Sequence, residues 1–251
     1  MDAPAADPAE IARFSRARED VLASIAEACA RSGRDPSAIT LVAVSKTVPA
    51  ERVSAALAAG QSTFGENRVQ EGEAKRPIVG GGTWHLIGPL QGNKARRAIE
   101  TFDVVESVDS TELARRLDRL VREVRGLAPS GVVDEARRLP VLVQVNVDAD
   151  EAKAGFTPGS LEVALPELAG LGALRLDGLM TIGRLVEDPQ DARPTFRHLR
   201  VLAAELRERA PALGPALSMG MSDDYPVAVE EGATIVRVGR ALFGERPAPV
   251  P

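Results

Sequence analysis

The stretch Leu41-Val-Ala-Val-Ser-Lys-Thr47 places a single lysine directly after an apolar run. The apolar residues predict a buried strand, and Pro49 suits the first turn of a following helix. Lys46 therefore falls where a strand ends and a loop begins. Removing an ammonium group from water costs free energy, so this position favours the neutral amine, which is the form that attacks a carbonyl carbon. The alternative explanation is a lysine whose side chain extends from the strand end into solvent.

The composition is that of an acidic globular protein. The chain has 251 residues, of which 44% are hydrophobic and 27% charged, and its formal net charge is -5. Such a charge gives no general attraction for nucleic acid or an anionic membrane. The sequence has neither a long apolar run nor a signal-peptide pattern, so we expect a cytoplasmic protein, and a monomer. One cysteine, Cys29, and two histidines argue against a disulfide framework or a metal site.

Strands and helices alternate along the whole chain. A leading helix is predicted from Asp7 to Gly33, followed by the strand that precedes Lys46. Seven further strands are predicted, each before a helix, at residues 62–65, 83–87, 102–106, 141–147, 176–182, 216–218 and 234–238. This pattern predicts an α/β protein with a single (β/α)8 TIM barrel over residues 1–251 and an extra N-terminal helix. Residues 1–6 and 246–251 are expected to be flexible tails.

An open doubly wound sheet was the other fold to consider. It would ideally carry a glycine-rich turn after the first strand, where this chain has Ser-Lys-Thr-Val-Pro. The barrel is therefore the favoured fold.

Two segments after the seventh and eighth strands could bind an anion. They are Ser218-Met-Gly-Met-Ser222, which leads into a helix, and Val236-Arg-Val-Gly-Arg240. Loops at these places are frequent phosphate sites in TIM barrels. Taken alone, Ser222 is better explained as a helix N-cap, and Arg237 as one half of a strand-end ion pair. Together with Lys46 they indicate a phosphorylated carbonyl compound, and pyridoxal 5'-phosphate fits.

Several motifs, in order from about Leu41 to Gly244, resemble those of the pyridoxal phosphate homeostasis proteins. They are VAVSKT, FGENRVQE, WHLIGPLQGNK, VLVQVNVD with Lys153-Ala-Gly155, GLMTIG and LSMGMSDDYPVAVEEGATIVRVGRALFG. The resemblance implies a barrel similar to the N-terminal domain of alanine racemase. Two positions depart from the family pattern, because Arg68 replaces a common Tyr and Gly92 a common Ser or Arg.

The resemblance also implies a role for each cofactor-binding residue. Lys46 is the Schiff-base lysine, Asn67 lies beside the cofactor, and Arg237 faces the pyridine nitrogen. The remaining contacts with the cofactor, including those to its phosphate, are expected from Met219, Ser222, Gly239 and Arg240.

The function implied is that of a carrier. An arginine is always charged and only donates hydrogen bonds, so it favours an unprotonated pyridine, which is a weaker electron sink. We also expect no second domain to supply an opposing base. The expected role is to buffer pyridoxal phosphate and deliver it, through transient contacts, to apo-enzymes that depend on it. A pyridoxal-phosphate-dependent amino-acid racemase or lyase and a Schiff-base aldolase are the alternatives. His85 is expected to be a core histidine, and Glu66 and Asp223-Asp224 to be loop and helix-start charges.

Overall fold

The computed structural model describes residues 7–131, 133–184 and 186–244. Within these ranges, eight parallel strands close into a barrel in which each strand pairs with the next and β8 pairs with β1. The strands are β1 (Thr40–Val44), β2 (Thr63–Glu66), β3 (Thr83–Leu86), β4 (Val104–Val108), β5 (Leu139–Gln144), β6 (Leu174–Met180), β7 (Ala216–Ser218) and β8 (Ile235–Val238). The predicted single-domain (β/α)8 barrel is confirmed.

Helices surround the barrel. They are α1 (Pro8–Ser32), α2 (Ala50–Ala58), α3 (Val69–Val79), α4 (Ala95–Thr101), α5 (Thr111–Val124), α6 (Pro158–Gly170), α7 (Arg193–Arg209), α8 (Tyr225–Glu230) and α9 (Arg240–Phe243). Short 3-10 helices occur at Pro36–Ala38, Gly92–Lys94, Glu135–Arg137 and Pro189–Ala192.

The extra N-terminal helix α1 begins and ends where the sequence predicts. The Asp7 carboxylate accepts a hydrogen bond from the N–H of Ala9, and Gly33 ends the helix in a left-handed conformation. The helix packs against α2, α8 and α9, with the rings of Phe14 and Phe243 5.1 Å apart. It therefore covers the place where the last and first strands meet.

Alternation along β1 decides which side chains enter the barrel. Leu41 and Ala43 join the large core between strands and helices, whereas Val42 packs inside the barrel. The inner cluster contains Val42, Leu142, Met180 and Ile235. The barrel interior is thus filled by side chains.

Several predicted limits of strands and helices were wrong by one to three residues, and the starts of β4 and α8 are two examples. Strand β4 begins at Val104, because the N–H of Phe102 still bonds the carbonyl of Ala98 and closes α4. Helix α8 begins at Tyr225, with Asp224 at its N-cap position, so Ser222 lies in the preceding turn. The apolar character of Phe102 had suggested that β4 begins there. The polar run before Tyr225 had suggested that α8 begins at Ser222.

The expected flexible tails at 1–6 and 246–251 lie outside the described residues. Over the part of the chain that the structure describes, no helix combines the length and apolar character needed to cross a bilayer.

Candidate functional site

A cavity of about 310 Å³ opens at the C-terminal face of the barrel. It contains six of the seven residues predicted to bind the cofactor: Lys46, Asn67, Ser222, Arg237, Gly239 and Arg240. Its other lining residues are Val44, Ile87, Gly88, Pro89, Ile182, Met221 and Asp223. The folded barrel therefore brings together segments that are almost 200 residues apart in the sequence.

Lys46 lies in a tight turn at the end of β1. The N–H of Ser45 bonds the carbonyl of Gly65 in β2 at 2.9 Å, and the N–H of Val48 bonds the carbonyl of Ser45 at 2.9 Å. Lys46 and Thr47 occupy the two central positions of this turn, and Thr47 has a positive φ of 65°. Val44 and Lys46 both line the cavity, as expected for alternate residues.

The wall formed by Asn67 depends on Gly88. A Cβ atom at Gly88 would lie 2.3 Å from the carbonyl oxygen of Asn67, well inside a van der Waals contact. Only glycine permits the backbones after β2 and β3 to approach this closely. The sequence motif Gly88-Pro89 thus has a steric reason.

The loops after β7 and β8 meet at the other end of the cavity. The N–H of Gly239 donates to the hydroxyl of Ser222 at 3.1 Å, and the Arg240 guanidinium pairs with the Asp223 carboxylate. The N-cap interpretation of Ser222 was wrong, since Asp224 precedes α8 and accepts from the N–H of Met221 at 2.6 Å. The Ser222 hydroxyl therefore lies at the cavity.

Arg237 lies on the floor of the cavity and is almost completely buried. Its guanidinium donates to the carbonyl of Thr181 at 2.8 Å and to the hydroxyl of Ser218 at 2.5 Å. It lies 3.9 Å from the Glu106 carboxylate. These contacts fix its orientation.

A buried polar layer supports Arg237 from below. The Glu106 carboxylate accepts from the Ser218 hydroxyl at 2.5 Å and lies 2.5 Å from Nδ1 of His85. Since an ionised carboxylate only accepts, Nδ1 carries the proton. Burial alone raises the pKa of Glu106, but His85, Arg237 and Ser218 together hold it below the usual value. His85 is the core histidine that was expected, with its partner now identified.

Glu66 was expected to be a loop charge, which was wrong. It is the last residue of β2 and is completely buried. Its Oε1 atom accepts from the Ser45 hydroxyl and from Nζ of Lys75, both at 2.7 Å. Burial is the main reason that the pKa of Glu66 is raised to about 7, with Lys75 opposing the shift. Its side chain lies behind the Lys46 turn, towards α3.

Met219 does not line the cavity. It is completely buried in the core between barrel and helices, and Met221 lines the cavity instead. Strand alternation would put the side chains of Met219 and Met221 on the same side, but Gly220 between them has a φ of 88° and turns the chain.

The fold and the site together define a class of protein: a parallel barrel with a lysine after the first strand, a buried arginine at the cavity, and Ser222, Gly239 and Arg240 in the loops after the last two strands. Residues 22–247 match the family model for the alanine racemase N-terminal domain. The chain is 40% identical over 228 residues to the pyridoxal phosphate homeostasis protein of Aquifex aeolicus, covering 90% of this chain and 95% of that protein. The protein of the same name from Pseudomonas aeruginosa is 42% identical over 233 residues, or 90% and 93% of the two chains.

The chain therefore belongs to the alanine racemase N-terminal domain family, among the pyridoxal phosphate homeostasis proteins.

Solved structures agree with this assignment. PipY of Synechococcus elongatus is 44% identical, and the match covers 88% of this chain and 100% of PipY. The TM-score is 0.76 for PipY without pyridoxal phosphate and 0.75 for PipY with it bound. Alanine racemase of Corynebacterium glutamicum is 18% identical, with a TM-score of 0.67 over 96% of this chain and 63% of that one. The latter similarity shows the fold alone.

Proposed function

We propose that this chain binds pyridoxal 5'-phosphate in the barrel cavity, with Lys46 as its covalent attachment point, and buffers and delivers the cofactor without appreciable turnover. The observation that carries the proposal is the buried, fully oriented Arg237 on the floor of a cavity whose rim holds Lys46. Membership of the homeostasis family and the pyridoxal phosphate bound in PipY support the choice of ligand.

The residues present fit the cofactor. The Ser222 hydroxyl, the backbone at Gly239 and the Arg240 guanidinium can bind a phosphate, and Arg237 can donate to a ring nitrogen. When bound, the cofactor supplies an aldehyde that condenses with an unprotonated lysine amine, with loss of water. Asn67, Ile87 and Pro89 would form the wall beside the ring.

Arg237 argues against strong carbanion chemistry. A guanidinium has no acceptor atom, so it can only donate to the pyridine nitrogen and leaves that nitrogen unprotonated. The nearby Glu106 carboxylate does not line the cavity and is occupied by Ser218 and His85. The ring is therefore a weak electron sink.

The cavity also offers few groups for proton transfer. Among the described residues that line it, the titratable side chains are Lys46, Asp223, Arg237 and Arg240. Arginines do not act as bases at neutral pH, and the Asp223 carboxylate is paired with Arg240. A racemase needs acceptors on both faces of the substrate, so this set favours a carrier.

The proposal predicts three results with the purified protein. Reconstitution with pyridoxal phosphate should give a near-visible absorption band that borohydride bleaches, with the label on Lys46. The loaded protein should transfer cofactor to an apo-enzyme that depends on it. Incubation with a panel of L- and D-amino acids should give no racemisation, decarboxylation or transamination above background.

The same measurements decide between the alternatives. A turnover of about 1 s⁻¹ or more on any amino acid would establish a racemase or lyase and refute the carrier role. No cofactor band after reconstitution, with Lys46 trapped instead on a carbonyl substrate, would indicate a Schiff-base aldolase. We also propose that the protein is a cytoplasmic monomer that meets its apo-enzymes transiently. Light scattering during size-exclusion chromatography tests whether it is a monomer.

A further inference from the structure

Three charged residues lie directly behind the Lys46 turn, on the helix side of the barrel. Nζ of Lys75 in α3 contacts Glu66 at 2.7 Å and Glu71 at 3.4 Å. Lys75 and Glu66 are buried, and Glu71 is partly buried. None of the three lines the cavity that contains Lys46. We call Glu66, Glu71 and Lys75 the anchor cluster.

The anchor cluster binds the residues on both sides of Lys46. Nζ of Lys75 donates to the carbonyl of Ser45 at 2.7 Å, and the Ser45 hydroxyl donates to Glu66 at 2.7 Å. The N–H of Thr47 donates to the Glu71 carboxylate at 2.9 Å. The backbone that carries Lys46 is therefore held on its preceding and on its following residue by one connected set of charges.

The turn needs this support because of Thr47. A positive φ at the third position of a four-residue turn is normally provided by glycine or asparagine. Thr47 is β-branched and has a φ of 65°, a conformation that costs free energy. Strain of this kind persists only where surrounding contacts enforce it, and the bond from Thr47 N–H to Glu71 is such a contact.

General stabilisation is a poor explanation for the cluster. A buried ion pair typically contributes no more to folding than well-packed apolar residues of similar volume. The Glu66 Oε2 atom is buried without a hydrogen-bond partner in the described structure, which adds to the desolvation cost. What the cluster specifically achieves is a fixed position for the backbone on either side of Lys46.

We infer that Glu66, Glu71 and Lys75 are positioning residues that hold the Lys46 turn in the geometry needed for attachment to the cofactor aldehyde. This inference rests on the proposed function of Lys46. It distinguishes two aspects of cofactor binding: the phosphate and ring contacts, which the cluster does not touch, and the covalent step, which depends on where the Lys46 amine is held.

The test compares Glu71→Ala with Glu73→Ala, a matched control on the same helix. Glu73 pairs with Arg97 at the surface, whereas the N–H of Thr47 bonds Glu71. Two quantities are measured for each variant. They are the rate at which the borohydride-trapped adduct forms with pyridoxal phosphate, and the affinity for pyridoxine phosphate, which has the same ring and phosphate but no aldehyde.

Glu71→Ala should slow adduct formation by roughly tenfold or more, as small misplacements of a reacting group commonly do. Glu71→Ala should change the affinity for pyridoxine phosphate less than about twofold, because Glu71 does not line the cavity. Glu73→Ala should change neither the rate of adduct formation nor this affinity. Lys75→Met should repeat the Glu71→Ala pattern if it folds.

A second substitution makes the test specific to the strained turn. In a Thr47→Gly background the turn conformation is intrinsically allowed, so Glu71→Ala should slow adduct formation by less than about threefold. An equal effect of Glu71→Ala in both backgrounds would overturn the inference, as would a Glu71→Ala rate equal to that of Glu73→Ala. Failure of the proposed function gives a different result, since the unmodified protein itself would then form no adduct on Lys46.

Discussion

Arg237 and Glu106 lie 3.9 Å apart inside the barrel and are joined through the hydroxyl of Ser218, which contacts both at 2.5 Å. Both charged residues are almost completely buried. Burial disfavours the charge of each, which is why the pKa of Arg237 is lowered from its ordinary value. The pair is therefore a costly arrangement whose benefit is a correctly oriented guanidinium at the cavity floor.

Removing the carboxylate should leave the guanidinium uncompensated. We expect Glu106→Gln to lower the free energy of unfolding by about 3–5 kcal/mol, because one member of a buried pair then remains charged. The double variant Glu106→Gln/Arg237→Gln should be less destabilised than the sum of the single variants. Urea unfolding measures the free energy of unfolding of the two single variants and the double variant. Glu205→Gln, at an exposed position, is the control and should change it by no more than about 0.5 kcal/mol. Simple additivity would show that the two residues do not interact.

Lys46→Ala should abolish the borohydride-trapped adduct while leaving the protein folded. Lys46 is one of four lysines and the only one that lines the cavity within the described residues. Lys94→Ala is the matched control, since Lys94 lies in the adjoining groove beside Asn67 and Pro89, and this variant should keep the adduct. Circular dichroism checks the fold, and peptide mapping locates the label. A label that persists at full yield in Lys46→Ala would place the attachment on another lysine.

Local signals in the sequence were sufficient for the architecture. Asp7 and Gly33 delimit α1 as predicted, and the three-residue strand β7 falls at 216–218. The eight alternations and the missing glycine-rich turn after β1 were enough to distinguish a barrel from an open sheet. The grouping of six of the predicted residues around one cavity could be anticipated, because residues that follow the strands meet at one end of a barrel.

The buried charges could not be predicted in the same way. Glu66 and Glu106 each stand at or near the end of an apolar run, where a carboxylate usually reaches solvent. The Ser218 hydroxyl that contacts Glu106 is 112 residues away, and the contact exists only once the barrel closes. Lys75 is only nine residues from Glu66, but their contact depends on how α3 packs against β2. Pairings of this type follow from tertiary geometry, which periodicity does not contain.

Ser222→Ala should weaken the binding of pyridoxal phosphate by roughly tenfold or more, since a hydrogen bond to a charged group contributes about 1.5–3 kcal/mol. The affinity for unphosphorylated pyridoxal should stay within about twofold, because the proposed role of this hydroxyl is to bind the phosphate alone. Gly239→Val should act in the same sense, since the N–H of Gly239 bonds Ser222 and an added Cβ would lie 3.4 Å from the carbonyl oxygen of Val44. Titration of both ligands measures this, with the exposed Ser160→Ala as control. Equal losses for both ligands would refute the phosphate role.

The last prediction concerns Glu66 and the dependence of stability on pH. Burial raises the pKa of Glu66 from 4.5 to about 7 in the folded protein. Between these values the native state holds a proton that the unfolded state has released. The contribution of Glu66 to stability is therefore fully present below about pH 4.5 and is lost as the pH rises through about 7.

We expect Glu66→Gln, which cannot ionise, to remove this loss. The measured quantity is the free energy of unfolding of the unmodified protein minus that of Glu66→Gln. This difference should fall by on the order of 2–3 kcal/mol as the pH rises from about 5 to 8. Glu73→Gln, in α3 and paired with Arg97 at the surface, should keep the pH dependence of the unmodified protein. Denaturant unfolding at several pH values gives the three curves. Parallel curves for the unmodified protein and Glu66→Gln would show that Glu66 is ionised throughout this range, with Lys75 outweighing the effect of burial.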